Sequence, residues 1–166
     1  MRDTIATQRV GGRIRGPFAV LLHAPEIGER VAEFVNHLMS DTRVPTNLKE
    51  IAILTIARKY TAQYEFYVHE KRARQSGIDG AVIDAIRRRQ RPDFSKAKEA
   101  LVYDMTDEIL EAQRLSDDHY ARAVKALGEP AVVELVSLIG FYIMVAVLLV
   151  SYEVEIPDGG TPPLID

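Results

Sequence analysis

Within the run Gln63-Tyr64-Glu65-Phe66-Tyr67-Val68-His69-Glu70, a carboxylic acid and an imidazole stand four residues apart. On a helix this spacing sends both side chains out of the same face. Ala62, Phe66 and Ala73 follow the same helical spacing, so that face is expected to be buried. An acid and an imidazole on a buried stripe point to tuned proton chemistry more than to a solvated surface pair. Glu50 lies early in a second apolar segment, Leu48 to Ile56, and is the third candidate. His69, Glu65 and Glu50 are thus the expected catalytic set. Each also has a purely structural reading. Asn47 and Glu50 have capping-box spacing. Glu65 falls in a first helical turn, where a carboxylate suits the dipole. His69 can be a core histidine bonded to a backbone carbonyl. Convergence of the three on adjacent helices favours the chemical reading.

Other chemistries lose their residues. The 166-residue chain has no cysteine, which removes disulfides, thiolate metal sites and thiol catalysis together. Glu65 and His69 can supply two metal ligands, but His69-Glu70-Lys71-Arg72-Ala73 has alanine where a zinc-binding HExxH helix has its second histidine. His23, His37 and His119 show no ligand spacing to it, so neither metal nor cofactor is expected. No glycine-rich phosphate loop and no nucleophilic serine motif appears. The formal net charge is −3 and tryptophan is absent, which gives no basis for nucleic-acid binding. The basic run Arg87 to Arg91 reads as a solvated helix C-terminus.

The elements that must position these residues are helical almost throughout, in one domain over residues 1–166. Residues 1–22 read as an extended arm. A helix follows from Pro25 to about Met39, and another from an Asn47 cap to about Tyr60, the latter apolar on so many sides that it should be central. Thr61 is the expected N-cap of the Glu65/His69 helix, with Gly77 as its left-handed C′ residue. Further helices are expected from about Asp79 to Arg89, from a Ser95 or Asp93 cap to about Arg114, from Ser116 to Gly128, and from Pro130 onward. Residues 156–166 read as an extended tail. Leu135 to Tyr152 carries no charge and reaches the lower limit for a membrane span. Its acidic flanks, Glu134 and Glu153, lack the basic anchors of a cytoplasmic boundary, so a helix buried all round is expected, inside the fold or at a subunit interface. With no signal-like N-terminal run, the chain reads as cytoplasmic and without a membrane partner.

Leu48-Lys49-Glu50-Ile51-Ala52-Ile53-Leu54-Thr55-Ile56-Ala57-Arg58, then Gln63 to His69, then Ala73-Arg74-Gln75-Ser76-Gly77 together resemble the carboxymuconolactone decarboxylase-like family, which includes the alkylhydroperoxidase D proteins. The resemblance covers about residues 45–90. It implies an all-α, multi-helix bundle of the alkylhydroperoxidase D-like type that assembles as a trimer or hexamer. The peroxidase branch carries two cysteines at the positions of Ala62 and Glu65, so its thiol chemistry is excluded here. Glu65 four residues before His69 is similar to the decarboxylase branch. The expected function is therefore a cofactor-free acid–base enzyme, a decarboxylase of a small carboxylated lactone or related acid, with His69 as general acid and Glu65 or Glu50 orienting it. Arg58, Arg13 and Arg15 are candidates to anchor a substrate carboxylate, and His23 and Tyr64 to complete the pocket. The alternatives are a cysteine-free route to peroxide chemistry and a non-catalytic helical oligomer that binds a small ligand.

Overall fold

The computed structural model describes residues 16–164, and among these the regular structure is entirely helical. Eight α-helices follow one another: α1 (Pro17–Leu21), α2 (Pro25–Ser40), α3 (Thr46–Lys59), α4 (Gln63–Gln75), α5 (Gly80–Arg87), α6 (Ala97–Ala112), α7 (Asp117–Leu127) and α8 (Glu129–Ser151). A single 3-10 turn, Pro157–Gly159, lies in the tail. The all-α expectation thus holds.

α3 is the axis of the bundle. Every residue from Leu48 to Arg58 is buried, and α4, α5, α6 and α8 all pack on it. Its apolar residues point in all directions because it has a neighbour on every side. Asn47 does not cap it. Pro45 occupies the N-cap, and its carbonyl accepts from the amides of Leu48 and Lys49. Asn47 instead donates its side-chain amide to Glu99 Oε1 at 2.8 Å.

The turn from α3 to α4 takes only three residues. The expected N-cap, Thr61, is in the left-handed region at φ 51° and serves as the C′ residue of α3, while Ala62 stands at the N-cap of α4 without a capping side chain. The Ala62 amide donates to the Ala57 carbonyl and the Thr61 amide to that of Arg58, the two bonds of a Schellman motif. A β-branched residue is unfavourable in this conformation. Its hydroxyl oxygen offsets part of that cost by accepting from the guanidiniums of Arg58 and Arg89 at 3.3 and 3.2 Å. The tight reversal makes α3 and α4 an antiparallel hairpin. α4 ends as expected at Gly77, whose φ is 83°, again with both Schellman bonds in place.

Other boundaries differ from expectation. The expected extended arm over residues 1–22 does not hold for 17–21, where Pro17 starts a short helix that buries Phe18 and Leu21. Residues 1–15, including Arg13 and Arg15, lie outside the described residues. Lys96, not Ser95 or Asp93, precedes α6. Ser116 caps α7, accepting from the His119 amide. The arginine run is ion-paired rather than simply solvated: Arg87 reaches Glu70 and Asp84, and Arg91 reaches Asp104. The tail is not free either. Leu164 is buried, and the Gln63 side chain holds its backbone from both sides, at 2.7 and 2.9 Å.

Of the two placements expected for α8, inside the fold or at a subunit interface, enclosure within the single chain does not hold. The helix is long and apolar enough to cross a membrane by length and composition, but only half of its most apolar window is buried. Leu135, Leu138, Ile139, Tyr142, Val145, Ala146 and Leu149 face the bundle, whereas Val133, Val136, Met144, Val147 and Val150 are exposed. Uniform composition hides a helix with one inward and one outward face.

Because α3 has no solvent-facing side, trimming it leaves a cavity that no water can share. Ile53→Ala is expected to cost about 2–5 kcal/mol of unfolding free energy, measured by urea denaturation.

Candidate active site

Glu50 and His69 meet because the hairpin folds the chain back at residues 60–62. Eleven residues run from Glu50 to Tyr60 and nine from Thr61 to His69, so the two side chains come level across the α3–α4 contact. His69 Nδ1 lies 2.7 Å from Glu50 Oε2. Glu50 is 0% exposed and His69 6%. The capping alternative for Glu50 is therefore displaced: its carboxylate turns to the imidazole of the neighbouring helix. The backbone-carbonyl alternative for His69 is displaced with it. As a carboxylate, Glu50 accepts the Nδ1–H and fixes the tautomer and ring orientation, which leaves Nε2 as the working nitrogen. The ring is held from the side by Tyr142 of α8, edge-on at 5.2 Å between centroids and 89° between planes.

Glu65, one turn before His69, is 2% exposed. Among the described residues, neither of its carboxyl oxygens has a hydrogen-bond partner. Its position in the first turn of α4 does not rescue it, because no backbone N–H reaches it. Burial pushes its carboxyl well above the ordinary carboxylate value, toward the neutral acid, which is a potential hydrogen-bond donor. Burial above all, with the neighbouring Glu50 carboxylate adding to it, also pushes the Tyr142 phenol upward. It stays protonated and points its hydroxyl at Met39 Sδ, 3.4 Å away.

Glu65 and His69 line a cavity of about 960 Å³. Its apolar wall comes from Val31 and Val35 of α2 and from Phe141, Tyr142, Val145 and Leu149 of α8. Glu50 stands behind His69 and is not part of the lining. The arrangement is a donor–acceptor pair aimed into an apolar space and backed by a buried carboxylate. Such a site can hold a proton on Glu65, move one at His69 Nε2, and exclude water from both.

The remaining candidates separate. Tyr64 lines this cavity, and its ring sits so close to Gly16 that a Cβ there would stand 2.6 Å from it. His23 is exposed in the turn between α1 and α2 and does not line the cavity. Arg58 is buried but lines a different cavity, of about 230 Å³, with Lys59, Arg89, Tyr103 and Asp107. The α-helical period explains this placement: Arg58 lies eight residues after Glu50, near the far end of α3. Sequence reasoning missed Tyr142, which arrives from a helix 73 residues beyond His69 and has no local signal. It also missed Arg72 of the cavity lining, although Glu65, His69 and Arg72 follow the i, i+4, i+7 pattern that defines one helical face. Among the described residues, no group of three His, Asp or Glu side chains is arranged to hold a metal ion.

The Glu65 assignment has a consequence for stability. Below the unfolded carboxyl value near 4.5, both states hold the proton. Above it the unfolded chain releases the proton while folded Glu65 keeps it, so stability falls as pH rises toward the folded value. Glu65→Gln removes this loss. The variant is expected to gain stability over the parent at pH 8 and to gain less at pH 4.5, by urea unfolding at both pH values. An equal difference at the two would mean that Glu65 is ionised in the fold.

In comparisons with known proteins, no family model, no curated protein and no solved structure matches the chain.

Proposed function

We propose that this protein is a cofactor-free acid–base enzyme, a decarboxylase acting on a small carboxylated lactone or a related acid. The observation that carries the reading is the pairing of a buried Glu50–His69 dyad with a second, unpartnered carboxyl, Glu65, on the wall of the same cavity. Loss of CO₂ from a carbon vinylogous to a carbonyl breaks the C–C bond and leaves its electron pair on a dienolate. Neutral Glu65 donates a hydrogen bond to the enolate oxygen, where negative charge develops. His69, as imidazolium, delivers its Nε2 proton to the carbon, and Glu50 stabilises the positive charge on the ring. Water restores the proton afterwards. The apolar wall strengthens each of these interactions by keeping water out.

The alkylhydroperoxidase D-like type of bundle belongs to the same proposal and rests on the resemblance of residues 45–90. The exposed apolar stripe of α8, Val133 to Val150, supports assembly with further copies, since a lone soluble chain seldom leaves such a strip uncovered. The reading is of a cytoplasmic homo-oligomer.

General acid–base help contributes roughly 100- to 10,000-fold. With CO₂ release from a panel of carboxylated butenolides as the assay, His69→Gln is expected to lower kcat by about that factor while circular dichroism stays unchanged. In D₂O the product should carry deuterium at the carbon that lost CO₂. Undiminished turnover in His69→Gln overturns the assignment.

A further inference from the structure

The mouth of the cavity carries two cations with no ion-pair partner among the described residues. Lys71 and Arg72 of α4 both line it and both are exposed. Neither has a carboxylate partner or a side-chain hydrogen bond among the described residues, while their neighbour Glu70 is already held by Arg74 and Arg87. The cations are therefore available at the rim. Arg72 also acts inward: its charge opposes the upward push on the buried Tyr142 phenol. Glu65, His69 and Arg72 form one stripe, and seven residues at 1.5 Å each put Arg72 about 10 Å along the axis from Glu65. Between these ends the wall facing the stripe is apolar, made of Val35, Phe141, Tyr142, Val145 and Leu149.

The cavity thus has three zones in line: a neutral carboxyl with an imidazole at the inner end, a greasy middle, and two unpaired cations at the mouth. A compact lactone would leave most of about 960 Å³ unfilled. We infer that the site takes an amphiphilic acid, with its reacting group against Glu65 and His69, an apolar body along α8, and a separate, non-reacting carboxylate held at the mouth by Lys71 and Arg72. A carboxylate that is to leave as CO₂ gains nothing from a strong cation contact, which would stabilise the ground state. The rim cations therefore suit a second acid group, one or two helical turns from the chemistry. This deepens the acid–base reading and rests on it for the role of the inner end.

Isothermal titration of the full chain with octanoate, octanamide and acetate tests the assignment. Octanoate is expected to bind at least fivefold more tightly than octanamide in low salt, and the difference should shrink at 0.5 M salt. Acetate, which lacks the apolar body, is expected to bind at least tenfold more weakly than octanoate. The Lys71→Gln/Arg72→Gln double variant, at exposed positions where folding is undisturbed, should bring octanoate down to the affinity of octanamide, and Arg72→Lys should restore part of the loss. Equal binding of acid and amide, no loss in the double variant, acetate matching octanoate, or no octanoate binding at all each overturns the inference. Octanoate binding that weakens as protein concentration rises would show a second copy in the cavity and overturns it too. The two readings fail separately. Loss of the acid preference with the His69→Gln turnover defect intact removes the substrate class alone, and the reverse result removes the chemistry alone.

Discussion

The complete burial of α3 governs the rest of the molecule. A helix whose residues from Leu48 to Arg58 are all inside has no solvent face on which to place a charge. Glu50 must therefore find a partner in the protein or stay protonated. The partner is His69, and the pair exists because α4 runs back along α3 after a three-residue turn. That turn is in turn held by a threonine in the left-handed region, with two arginines on its hydroxyl. The bundle, the hairpin and the dyad are one connected solution to placing a carboxylate in a core.

Two carboxyl groups on adjacent helices end in opposite electrostatic situations. Glu50 shares a hydrogen bond with an imidazole, whereas Glu65 is buried with no hydrogen-bond partner among the described residues and is pushed toward its neutral form. Different environments for two nearby acids are how one site obtains both a charge stabiliser and a proton donor at the same pH. Tyr142 joins them without titrating, as a steric support for the imidazole ring. Seen along α4, the cavity lining changes from a buried carboxyl at Glu65 to an exposed cation at Arg72, within two turns of a single helix.

Much of this was legible in the chain. The i, i+4 pairing of Glu65 and His69, the all-round apolarity of Leu48 to Ile56, and Gly77 as a helix stop are local signals, and local geometry expresses them directly. The misreadings share a cause. Asn47 and Thr61 look like N-caps because their side chains can bond nearby amides, but each bonds elsewhere: Asn47 to Glu99 of α6, and Thr61 to Arg58 at the end of α3 and to Arg89 just beyond α5. Arg58 looked like a neighbour of the site because it shares a helix with Glu50, yet two turns further on it faces another cavity. The run Leu135 to Tyr152 in and just after α8 has no charged residue to mark its outer face, so its composition did not reveal that one side stays exposed.

By itself, the sequence determined the helical class, the absence of thiol chemistry, and the placement of Glu65, His69 and Arg72 on one face of one helix. These follow from residue type and from the 3.6-residue period, which operate within a few positions of the chain. Only the tertiary structure decided that Glu50 bonds to His69 rather than to its own helix end, that Glu65 has no hydrogen-bond partner among the described residues, and that Tyr142 packs against the imidazole. Those outcomes depend on which groups lose water and which helix supplies a substitute, and desolvation is set by packing between segments far apart in sequence.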